Sequence, residues 1–101
     1  AVVAVALVEF VVFAPLFEEL TFRGLVYGTL RRRFGVGAAA LISAVIFAAV
    51  HGYGILGFAS VLSSGLLWAW IYEQTGSLWP NILAHALNNL LVCVTVMWLL
   101  R

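Results

Sequence analysis

The chain has 101 residues, 65% hydrophobic and 9% charged, with a net charge of +1 and a mean hydropathy of +1.16. A soluble domain is about a quarter charged, and five arginines with four glutamates cannot coat a water-soluble globule of this size, so the composition assigns the chain to a bilayer. The near-neutral charge excludes a nucleic-acid-binding surface, and a single cysteine, Cys93, excludes a disulfide framework or multi-cysteine metal site.

The expected fold is all-α: a polytopic transmembrane bundle of about five helices, one domain over residues 1–101, within a longer membrane protein. No basic stretch precedes the first apolar run, which argues against a signal peptide. A transmembrane helix needs about 20 apolar residues. The first predicted helix ends near Pro15, because proline suits a first turn and not a helix interior. The second runs from Pro15 to Arg31-Arg32-Arg33. No charge then appears before Glu73, and glycines divide that stretch into a third helix over Val36–His51 and a fourth over Gly57–Gln74. Thr75-Gly76-Ser77 reads as a stop and turn. The fifth helix opens around Pro80 and continues to Leu100.

Three arginines in a tight turn mark a cytoplasmic loop, and the expected location is multi-pass in a bacterial cytoplasmic membrane. Trp68, Trp70, Tyr72 and Trp79 cluster near the last turn, as an aromatic belt would. Gly24 and Gly28 form a GxxxG, and Ser60, Ser63, Ser64 and Gly65 give the fourth helix a flank of small residues; both patterns suit close helix packing.

Ionisable groups inside a membrane are costly and need a partner or a function. Glu19 and Arg23, four apart on one helix, are in the favourable order for an ion pair. Glu18 is left without an intrahelical cation, so it needs a further partner or a proton. Folding the second and third helices at Phe34-Gly35 brings Glu18 level with His51, each about 22 Å from the turn. Such a pair could hold and deprotonate a water, or could only lock the hairpin. His85 and Asn89 share a face one turn apart, suited to oxyanion stabilisation or to interhelical polar contacts. The same count puts His85 about 8 Å and Asn89 about 14 Å from the arginine side. These levels meet Glu18 only if the second helix tilts strongly or the hairpin projects. Glu9 has no assigned role.

Glu18-Glu19-Leu20-Thr21-Phe22-Arg23 is an EExxxR, Phe47 to His51 an FxxxH, and His85 to Asn89 an HxxxN. In this order and spacing, with Ala14-Pro15 before the acids and Tyr72 to Leu78 before the last helix, the chain resembles the CPBP family of intramembrane proteases, which includes CAAX-protease, abortive-infection and bacteriocin-processing proteins. The resemblance covers about Ala14 to Leu91. It implies peptide-bond hydrolysis of a membrane-associated protein or peptide by a water that Glu18 and His51 activate. It further implies that His85 and Asn89 stabilise the oxyanion, with Glu19 and Arg23 as the supporting pair. A prenylated substrate is not implied for a bacterial member.

No cofactor is expected. A Zn²⁺ ion, if bound, would take Glu18, His51 and His85, but HExxH is absent and Arg23 disfavours a dication nearby. A serine protease built on Ser63 and Ser64 lacks the GxSG pattern. The non-enzymatic alternative is a membrane immunity or binding protein with a vestigial site.

Overall fold

A computed structural model describes all residues, 1–101, and is helical throughout apart from short turns. Four helices follow one another: α1 over residues 2–34, α2 over Val36–His51, α3 over Gly54–Thr75 and α4 over Leu78–Leu100. α3 and α4, with 22 and 23 residues, are long and apolar enough to cross a membrane, whereas α2 has 16. The molecule is a slab of 47 × 29 × 18 Å.

The count of five is therefore one too many, and the difference lies at Pro15. The first two predicted helices are one. α1 alternates α-helical stretches (Val2–Val8, Ala14–Glu18, Gly28–Phe34) with π-helical ones (Glu9–Phe13 and Glu19–Tyr27). A proline inside an α-helix breaks the ladder because it lacks an N–H and its ring crowds the carbonyl four residues back. Here the Ala14 N–H already bonds the Glu9 carbonyl, five residues back, and Pro15 stands in the first turn of the α-helical stretch that follows. The wider π turn absorbs the proline without ending the helix.

α1 and α2 are joined at Gly35, which has φ 85°, and α3 ends at Gly76, with φ 64°. A side chain is strained at either position, so glycine is required. Ser77 then caps α4, its hydroxyl accepting from the Trp79 N–H. α3 begins at Gly54, one turn before the expected Gly57.

Side chains are distributed as lipid demands. The buried residues include Glu19, Arg23, Ser43, Asn81 and His85, while Leu, Val and Ile side chains cover the outside. With lipid tails as apolar as leucine, packing depends on close backbone approach. That approach falls at Gly65 on α3, where an added Cβ would lie 3.1 Å from Ala44 of α2. The GxxxG on α1 does not supply it: Gly24 meets only the Leu78 side chain, and Gly28 meets Arg32. Trp70 and Trp79 face outward, as belt residues would, but Trp68 is buried. The arginine-bearing end is tied to α3 by Glu73, which accepts from Arg31 at 2.9 Å and from the Tyr27 hydroxyl at 2.7 Å.

Candidate active site

Glu18 and Glu19 stand where α1 changes from α-helical to π-helical geometry, a change often found at functional sites. Both carboxylates reach the same ring on α4. His85 Nδ1 lies 2.7 Å from Glu19 Oε2, and its Nε2 lies 3.1 Å from Glu18 Oε2. The other oxygen of Glu18, Oε1, lies 3.5 Å from His51 Nε2 at the end of α2. Glu18, His51 and His85 thus converge.

The depth mismatch of His85 disappears because α4 does not start level with the end of α1. Its first turn lies beside Gly24, where Leu78 packs, so the end of α1 runs past it toward Phe34. The hairpin thus extends past the start of α4, and His85 comes level with Glu18.

Glu19 is the buried hub. It is fully enclosed, as is Arg23, and the two bond at 3.2 Å. Arg23 also donates to the Gly65 carbonyl at 3.1 Å and lies over the Phe47 ring at 4.5 Å. One carboxylate thus anchors α1 and α4, while its guanidinium partner reaches α2 and α3. The expected Glu19–Arg23 pair is present, with His85 as a further partner of the carboxylate.

Sequence reasoning missed Asn81. This residue of α4 is fully buried, and its Nδ2 donates to Glu19 Oε1 at 3.0 Å and to the Trp68 carbonyl at 2.6 Å. Trp68 in turn stacks on His85, with ring centroids 5.5 Å apart and planes within 17°. Asn81 therefore joins the two groups that hold His85. The available signal was its position four residues before His85, on the same helix face. Asn81→Ala leaves two buried acceptors without their shared donor and should destabilise the fold by about 1–3 kcal/mol. An SDS-unfolding titration of the micellar protein would read that loss; an unchanged midpoint would contradict it.

A cavity of about 530 Å³ opens over Glu18, His51 and His85, walled by Phe10, Phe47 and Trp68, with Asn89 and Glu9 also on its lining. The His51 ring is pinned from behind. Its Nδ1 lies 2.6 Å from the Phe47 carbonyl, which can only accept, so Nδ1 carries a proton and Nε2 is the nitrogen turned toward Glu18. Asn89, half-buried, does not bond His85: its Nδ2 donates to the Phe10 carbonyl at 2.8 Å. Ser63 is exposed on α3 and bonds the Ala59 carbonyl of its own helix.

No group of three or more His, Cys, Asp or Glu side chains is arranged to hold an ion. Each oxygen of Glu18 is matched to one imidazole nitrogen, and Glu19 is committed to Arg23, Asn81 and His85.

Residues 1–91 match the family model described as type II CAAX prenyl endopeptidase Rce1-like. The chain is also 32% identical over 83 residues to "Putative membrane peptidase YdiL" of Bacillus subtilis (strain 168), an alignment covering 82% of this chain. It spans about a third (34%) of that relative's length. No solved structure matches.

Proposed function

The chain belongs to the Rce1-like family of type II CAAX prenyl endopeptidases, and from that premise we propose that it is the core of a multi-pass intramembrane endopeptidase. It hydrolyses a peptide bond of a membrane-associated protein or peptide through a water activated by Glu18 and His51. The observation that carries this reading is the Glu18 carboxylate held between two imidazole nitrogens, 3.5 Å from His51 and 3.1 Å from His85, on the wall of a substrate-sized cavity.

A water between Glu18 Oε1 and His51 Nε2 has two acceptors and gives a proton to one as its oxygen attacks the scissile carbonyl. The 3.5 Å gap is long for a direct bond, and a water on the cavity side is within reach of both atoms. The developing oxyanion takes hydrogen bonds from the Asn89 amide and from the His85 Nε2–H, which turns from Glu18 Oε2 to the substrate oxygen as that oxygen gains charge. The proton then passes to the leaving nitrogen as the C–N bond breaks. Glu19 holds His85 through Nδ1, and Arg23 balances the Glu19 charge. With Glu18 and Glu19 set against Arg23, one negative charge is left over, and a proton between His85 Nε2 and Glu18 Oε2 closes the count.

The arginine-bearing end faces the cytoplasm of a bacterial cell in this reading, and the reaction needs no metal. The test is cleavage of a panel of quenched fluorogenic peptides, prenylated and unprenylated, by the full-length protein in vesicles. Cleavage should persist in EDTA and in Ser63→Ala and Ser64→Ala. Loss in EDTA with recovery on adding Zn²⁺ would instead favour a zinc-dependent protease using Glu18, His51 and His85. Loss in either serine variant would favour a serine nucleophile. No cleavage of any panel member, with tight binding of one, would favour a non-enzymatic immunity or binding protein.

A further inference from the structure

The chain carries Pro15 three residues before Glu18, inside a helix that continues through it. Pro15 is fully buried, and the proposed chemistry makes no direct use of it. Its consequence falls on one carbonyl.

Each carbonyl in an α-helix accepts from the N–H four residues on, and in a π turn from the N–H five residues on. For Phe10 the first of these is Ala14, whose N–H is committed to the Glu9 carbonyl. The second is Pro15, which has no N–H. The Phe10 carbonyl is thus without a donor in its own helix. In a membrane such a group has to find a partner on a neighbouring helix. That partner is the Asn89 side chain of α4, donating at 2.8 Å.

We propose that Pro15 is a positioning residue for the proposed hydrolysis, acting through the Phe10 carbonyl that it frees. That carbonyl takes one of the two amide hydrogens of Asn89 and so turns the other toward the cavity lined by Phe10, Glu18, His85 and Asn89. Asn89 has rotamer freedom on a half-buried face; the bond from Phe10 removes it before substrate arrives. Oxyanion donors act by being aimed in advance, and here a backbone group does the aiming. The inference rests on the reading of Asn89 as an oxyanion donor.

The variant Pro15→Ala restores an N–H that can compete for the Phe10 carbonyl. Because Pro15 is fully buried, the variant also loses packing, so its SDS-unfolding midpoint is read beside its kcat. A purely structural role for Pro15 predicts a lowered midpoint with kcat per folded enzyme unchanged. Positioning predicts that kcat on the best-cleaved panel peptide falls about tenfold with KM little altered, a part of the roughly 10²–10³-fold loss expected when an oxyanion donor is removed altogether, as in Asn89→Ala.

The test is a double-mutant cycle of Pro15→Ala and Asn89→Ala in the full-length protein, read by kcat and by the SDS-unfolding midpoint. Support is a kcat loss in each single variant with no further loss in the double. In the same cycle, Asn89→Ala should lower the unfolding midpoint more in the parent than in Pro15→Ala, a readout that needs no substrate. A severe loss in Asn89→Ala with parent-like kcat in Pro15→Ala overturns the positioning role while leaving the oxyanion reading intact. Parent-like kcat in Asn89→Ala overturns the oxyanion reading, and the inference with it. Equal midpoint losses in both backgrounds would show that Pro15 does not govern the Phe10–Asn89 bond.

Discussion

Glu18→Gln should lower kcat by about 10³-fold, within the range attributed to general acid–base catalysis, while the protein still folds. Glutamine keeps the size of the side chain and can still bond the two histidines, so the change falls on proton transfer. The carboxylate is partly exposed to the cavity, with 22% of its side-chain surface accessible, so it does not carry the burial that would make its loss a folding defect. The isosteric change at Glu19 has the opposite signature. That carboxylate is enclosed by Arg23, His85 and Asn81, and Glu19→Gln should damage stability as well as rate. Neighbouring acids in one motif thus separate into a chemical and a structural role, which paired rate and unfolding measurements on the two variants would distinguish.

The largest stability effect is expected at Arg23. Arg23→Met leaves the Glu19 carboxylate buried without its cation, and breaking a buried ion pair from one side costs about 3–5 kcal/mol. It also removes the bond to the Gly65 carbonyl, where α3 comes close to Ala44 of α2. Replacing both partners, Glu19→Gln with Arg23→Met, should recover part of the loss, because no buried charge is then left unpaired. SDS unfolding of the three variants reads the comparison. A loss under about 1 kcal/mol in Arg23→Met would mean that water or lipid headgroups already reach Glu19.

Much of this arrangement was legible in the chain because a hairpin of two helices is arithmetic. Depth from the turn is set by rise per residue, and that count alone brought Glu18 level with His51. The Glu19–Arg23 pair followed from four-residue spacing. The level of His85 was not legible, because it depends on where α4 begins against α1, and the structure places that start, at Leu78, beside Gly24.

Two further features depend on hydrogen-bond register, which residue type does not encode. Pro15 reads as a helix boundary by every local rule, yet the π turn of Glu9–Phe13 carries the helix through it. Asn81 follows Pro80 at the start of α4, where it resembles an ordinary helix-start polar residue. Its burial comes only from the contacts of Glu19 and Trp68, both distant in the chain. Trp68 likewise belongs by composition to an interfacial belt and by packing to His85.

The central claim is that Glu18 and His51 act on one water. The kcat cycle of Glu18→Gln, His51→Ala and the double variant tests it most directly, on the panel peptide that the full-length protein cleaves fastest. The account predicts large losses in both single variants and a double variant no slower than Glu18→Gln alone, since a pair acting as a unit is lost once. Losses that multiply in the double variant would mean that the two residues serve separate steps, and parent-like cleavage by Glu18→Gln would contradict the mechanism outright.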